Sequence, residues 1–112
     1  MKSYIFPSSQ KSLDLNTIVS IIENIYPNLK MNTFTSSQFP SQNQTIQVHG
    51  GIAIINNNGV LSFQIIFFET SDEWAGYSIT QNNITLTYAP AVYSNIPTYS
   101  ELQTLLQNKV FL

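Results

Sequence analysis

The sequence has no cysteine and no arginine, and only 9% of its 112 residues are charged, against about 25% in typical soluble domains. Without cysteine there is no disulfide, no thiolate nucleophile and no zinc-thiolate site. Without arginine, four scattered lysines and a net charge of −2 cannot build the basic stripe that phosphate backbones require, so no nucleic-acid partner is expected. No apolar run approaches the ~20 residues of a membrane span, and no membrane partner is expected. Residues 1–11 lack the apolar core of a secretory signal. One histidine leaves an imidazole metal site short of ligands, a serine triad would have only His49 to offer, and no Gly-x-Ser-x-Gly occurs. Gly50-Gly51 has strand-like sequence on both sides, whereas a phosphate cradle opens a helix. No metal or other cofactor is expected.

What replaces charge is neutral polarity. Asn, Gln, Ser and Thr number 44. Such a surface repels itself weakly, costs less to desolvate than a charged one and changes little in acid. It suits an oligomer, a particle component or a protein exposed to low pH. The plain alternative is a compositional bias toward the codons of Asn, Ile, Tyr and Phe. Size scaling for one domain of 12.6 kDa leaves about 6,000 Å² exposed, so the chain can bury a core without staples.

Periodicity sets the elements. "KSYIF" reads as a strand ended by Pro7. "LDLNTIVSIIENIYP" places Leu15, Ile18, Val19, Ile22, Ile25 and Tyr26 on one helical face, with Ile21 off the stripe. Asp14 is the expected N-cap, Leu13 and Ile18 stand at staple positions, and Pro27 stops the helix. Met31 to Phe34 is a strand candidate, and 36–44 reads as an exposed loop with a turn at Pro40. Asn58-Gly59 predicts a type I′ hairpin. Its register puts Ile54 opposite Phe63, Ile52 opposite Ile65 and Gly50 opposite Phe67, on a face shared with Val48 and Leu61. The other face pairs Ile55 with Ser62, Ala53 with Gln64, Gly51 with Ile66 and His49 with Phe68. A second hairpin turns at Asn82-Asn83, with Ile79 opposite Leu86 and Tyr77 opposite Tyr88; Ser78, Thr80, Thr85 and Thr87 make its outer face. Thr98 and Glu101 fit a capping box for a helix over 99–111, with Tyr99, Leu102, Leu105 and Leu106 on one side. The expected fold is α+β: a single domain over 1–112, an antiparallel β-meander of four to five strands flanked by an N-terminal and a C-terminal helix, both helices on one sheet face.

A strand, a helix and an antiparallel meander in this order resemble the cystatin-type fold. In that family a Gln-x-Val-x-Gly turn wedges into a cysteine protease. Ile46-Gln47-Val48-His49-Gly50 follows the motif with Ile where it has Gln, and Trp74 stands in the next connection, as a tryptophan does in the family's second loop. The C-terminal helix is foreign to that pattern, and the hairpin register puts Val48 and Gly50 inside a strand. No membership follows.

The candidate binding segment is "ETSDEWAGY", residues 69–77, where Asp72 and Glu73 flank Trp74 and Tyr77 follows. Trp with polar neighbours is a favoured binding anchor. Trp74 tucked against the end of the core is the structural alternative. The register brings His49 to the same end of the hairpin, near Glu69, Asp72 and Glu73, where it could serve as an oriented base. A strand histidine facing Phe68 is more often structural. No catalytic residue is assigned. The expected function is a non-enzymatic protein-binding or regulatory module, of the kind found among small viral or mobile-element proteins, self-associating through its sheet. A structural or particle component is the second reading, and a small enzyme using His49 with nearby carboxylates the third. The expected partners are proteins, including further copies of the chain, and the expected location is the cytoplasm or a viral particle.

Overall fold

Asp14 closes the N-terminus of the first helix by accepting the Asn16 N–H through Oδ1 at 3.0 Å and the Thr17 hydroxyl through Oδ2 at 3.1 Å. The computed structural model describes residues 1–8, 14–33 and 39–107. Its elements are β1 (Lys2–Pro7), α1 (Leu15–Ile25), β2 (Met31–Asn32), β3 (Gln44–Val48), β4 (Gly50–Asn57), β5 (Val60–Phe67), β6 (Ser78–Gln81), β7 (Ile84–Pro90) and α2 (Tyr99–Leu106). Leu13, Phe34 and the 108–112 end of the expected second helix lie outside the described residues.

The two helices and the strands form a compact single domain, but the strands do not make one meander. They make two separate mixed sheets, one in the order β1-β5-β4-β2 and one in the order β3-β7-β6. Both expected hairpins keep their registers: Ile52 pairs with Ile65 and Gly50 with Phe67 in the first, Ile79 with Leu86 in the second. Their turns hold Asn58, Gly59, Asn82 and Asn83 at positive φ, the geometry of a type I′ turn. "KSYIF" is a strand, antiparallel to β5.

The correction concerns what happens between Val48 and Gly50. β3 runs parallel to β7, and β2 runs parallel to β4. Parallel pairs cannot be joined by tight hairpins and need long crossovers. Each sheet supplies the other's crossover: β3 lies between β2 and β4, and the β4–β5 hairpin lies between β3 and β7. The chain therefore changes sheets at His49, and Val48 does not share a face with Ile52. It is buried instead in a second, smaller core with Phe68, Leu86 and Tyr88. β7 is central in its sheet, so Thr85 and Thr87 stand on an interior strand and not at an edge.

Gly50 is required at the switch. A Cβ there would strike the Ile66 carbonyl oxygen and come within 3.0 Å of the Met31 side chain.

The main core lies between the four-stranded sheet and the helices. Phe6, Phe63, Phe67, Ile52 and Ile65 from the sheet meet Ile18 and Ile22 of α1 and Leu102 and Leu106 of α2, all fully buried. Each such side chain contributes roughly 1.5–3 kcal/mol of transfer free energy. The α1 stripe is rotated slightly from expectation: Ile21 packs on the core, whereas Ile25 is 54% exposed. Pro27 follows the C-cap Tyr26. Thr98 Oγ1 accepts the Glu101 N–H and donates to Glu101 Oε1, closing the start of α2. Among the described residues no helix is long and apolar enough to cross a membrane.

Candidate functional site

The connection from β5 to β6 is a chain of turns. Glu73 N–H bonds to the Thr70 carbonyl, Ala75 N–H to Asp72 and Tyr77 N–H to Trp74. Closing these turns puts Trp74 at φ 59° and Gly76 at φ 78°. Glycine tolerates that region, but a bulky side chain at positive φ is an outlier, held only when its surroundings fix it. The surroundings are aromatic. Trp74 meets the Phe68 ring edge-on at 5.0 Å and the Tyr77 ring at 6.0 Å, and Tyr77 stacks on Tyr88 at 5.6 Å. Trp74 thus both packs on the second core and reaches past it.

What it reaches over is the face of the four-stranded sheet opposite the helices. Gly51, Ala53 and Ile66 belong to that face; Gly51 pairs with Ile66, and the glycine lacks a side chain to fill the space. Gly51, Ile52, Ala53, Ile66, Trp74 and Tyr77 line a groove of about 430 Å³. No lining residue is charged, and Tyr77 is 46% exposed at its mouth.

The five candidate residues do not converge. Trp74 and Tyr77 wall the groove. Glu73 points elsewhere: its Oε1 accepts from the α-amino group of Met1 at 2.6 Å, and Glu69 joins that ion pair at 3.0 Å. The same two hydrogen bonds, Glu73's first, raise the pKa of the amino group. Glu73 Oε2 is buried without a hydrogen-bond partner. Asp72 is exposed, and hydrogen bonds from the Thr70 side chain and its own backbone N–H hold its carboxyl below the usual range. Among the described residues, no three His, Asp or Glu side chains gather as a metal-ligand set.

His49 turns away from these acids. Its Nδ1 accepts the Lys30 N–H at 3.0 Å, and its ring meets the Tyr93 ring edge-on at 5.8 Å. Burial first, and the Lys30 charge second, lower its pKa. An Nδ1 that accepts a main-chain proton is unprotonated, so the single N–H of the neutral ring is on Nε2. The ring is thereby committed to the sheet switch.

Sequence reasoning found the two aromatic walls from the composition of the 69–77 loop. It missed Gly51, Ala53 and Ile66 because that face alternates small, polar and apolar residues and reads as a solvated surface. Gly51 opposite Ile66, with Ala53 next to it on the same face, was the signal available: two small residues beside a large one make a hollow.

A scan against protein-family models, a search of curated proteins and a search of solved structures gave no match.

Proposed function

We propose that the chain is a non-enzymatic protein-binding module that captures an apolar side chain of a partner in the groove walled by Trp74 and Tyr77. One observation carries the reading: a bulky residue is held in the left-handed region at φ 59° so that its ring overhangs an uncharged hollow. Such strain costs on the order of 1–3 kcal/mol and concentrates at working surfaces. The hollow supplies contact area and ring edges, the chemistry of an anchor pocket. The uncharged lining keeps desolvation of the groove itself cheap.

Trp74 is the only tryptophan, so its emission reports on the groove directly. Peptides selected from a random display library against the wild-type chain should share an apolar anchor, shift Trp74 emission and lose binding to Ala53→Leu, which fills the hollow. Peptides that bind Ala53→Leu equally well, or a library that returns none, would remove the groove as the binding site.

A further inference from the structure

The outer edge of β6 is a second surface, which meets the groove only at Tyr77. Hydrogen-bond parity shows what it presents. Tyr88 N–H donates to the Tyr77 carbonyl at 3.0 Å, so Tyr77 and Tyr88 are a hydrogen-bonded pair of the β6–β7 ladder. Bonded and non-bonded pairs alternate along an antiparallel ladder. Ile79–Leu86 and Gln81–Ile84 are then bonded, whereas Ser78–Thr87 and Thr80–Thr85 are not. The backbone N–H and C=O of Ser78 and Thr80 therefore point outward from the sheet. On β7 the same parity turns Thr85 toward β3, and its N–H indeed donates to Asn43 Oδ1 at 2.7 Å.

The other edges are guarded. β1 carries Lys2 and Pro7, β2 is two residues long, and the side of β3 is flanked by Glu23 and Lys30, which share a hollow with Ile46, Gln47 and Val48. Charge, proline and brevity are the usual protections against strand addition. Ser78-Ile79-Thr80-Gln81 has neither charge nor proline, and among the described residues nothing pairs with its outer side.

We propose that β6 pairs with β6 of a second copy, antiparallel, about a two-fold axis at Ile79. This register alone sets the outward groups of both strands against each other: Ser78 opposite the partner's Thr80, and the reverse, each pair exchanging two hydrogen bonds. Ile79 meets its own copy on the axis, where side chains of a non-bonded pair approach closest. Gln81 falls opposite the partner's Tyr77 and covers part of a ring that is 46% exposed in the single chain. The two three-stranded sheets become one sheet of six. A second copy fits because the two-fold axis sets this strand against the same four residues, so a charge at 78, 79 or 80 would lie on or beside its own copy, and this edge carries none. Pairing of four-residue strands buries area at the low end of specific interfaces, so the dimer is one of micromolar or weaker affinity.

Sedimentation equilibrium over rising concentration tests this. The wild-type mass should climb from 12.6 kDa toward twice that value at high micromolar concentration. Ser78→Lys with Thr80→Lys should stay at the mass of one chain, as should Ser78→Glu with Thr80→Glu. Mixing the two variants should restore association roughly tenfold or more tighter than either alone, which also shows that both are folded. The Ser78 and Thr80 amides should exchange more slowly as wild-type concentration rises, with Ile79 unchanged. Ala53→Leu, which fills the groove, should leave the association intact. A monomeric wild type at high micromolar concentration overturns the proposal. So does a dimer indifferent to the lysine pair, an oppositely charged mixture that stays apart, or a dimer abolished by Ala53→Leu.

Discussion

His49 and Lys30 are joined twice: the Lys30 N–H donates to His49 Nδ1 at 3.0 Å, and the His49 N–H donates to the Lys30 carbonyl at 2.8 Å. The pair fastens the residue at which the chain leaves one sheet for the other to the segment that leads into β2. One of the two bonds exists only while Nδ1 is unprotonated.

That dependence has a sign. The folded pKa of His49 is lowered from 6.5 by burial and by the Lys30 charge. The fold therefore favours the neutral ring. This contribution to stability is fully present above the ordinary value of 6.5 and is lost as pH falls through 6.5 toward the lowered folded value. An NMR titration of the ring should give a midpoint below 6.5, and the urea midpoint of the wild type should fall on going from about pH 7.5 to about pH 5.5. His49→Gln should show a smaller fall over the same interval. A ring midpoint above 6.5 would contradict the bonding described.

At Gly50 the obstruction is main chain: the Ile66 carbonyl belongs to the paired strand β5 and cannot swing aside. Gly50→Ala should cost about 1–3 kcal/mol or more, the range for overpacking a fitted site. Gly76 has no heavy atom near its Cβ position but a φ of +78°, so Gly76→Ala should cost only the left-handed penalty of roughly 1–2 kcal/mol. Chemical denaturation of the two variants separates steric from conformational cost. Equal stability of Gly50→Ala and wild type would refute the close approach.

Trp74 combines a favourable ring with an unfavourable backbone. Removing the ring and keeping a Cβ loses the first without relieving the second. Trp74→Gly should therefore be more stable than Trp74→Ala by about 1 kcal/mol, the reverse of the usual order at an ordinary position. Urea denaturation decides it. Alanine equal to or better than glycine at position 74 would mean that the left-handed backbone is not held there.

How much of this could be read from the sequence follows from how local each feature is. The Asn58-Gly59 and Asn82-Asn83 turns fix their own registers, so Ile52–Ile65 and Ile79–Leu86 follow from neighbours in the chain. The Asp14 and Thr98 caps are equally local. The parallel pairing of β3 with β7 is not: Ile46 and Tyr88 meet across 42 positions, and alternation along β3 would look the same against any partner. Val48-His49-Gly50 continues the alternation without a break, so the sheet switch leaves no periodic trace, only a glycine. The expected company of His49 failed for that reason. A continuous strand would carry its ring toward the 69–73 acids, whereas the switch carries it to Lys30 and Tyr93. Trp74 and Tyr77 were legible because their loop is distinctive. The groove they wall was not, because a hollow depends on what the opposite face lacks.

One ring pair in the docking of α2 can be measured by itself. Tyr99 opens the helix and is 39% exposed, yet its ring stacks on the fully buried Phe6 at 4.6 Å with 15° between planes. Phe6 in turn stacks on Phe63 at 5.5 Å, its partner in the β1–β5 register. Phe6→Ala should cost about 3–5 kcal/mol, since it empties a fully buried site. Tyr99→Ala should cost less, because part of its ring remains in water. The two losses should not add. Aromatic pairs contribute roughly 0.5–1.5 kcal/mol beyond the area they bury, and that amount should emerge as the coupling energy of a Phe6→Ala, Tyr99→Ala double-mutant cycle. Tyr99→Leu, which keeps apolar area and removes the ring face, should recover part of the single-mutant loss and none of the coupling. If the coupling falls within the roughly 0.3–0.5 kcal/mol scatter of independent sites, the stack does not hold α2 against β1, and the helix is anchored by its leucines, with Leu102 and Leu106 fully buried.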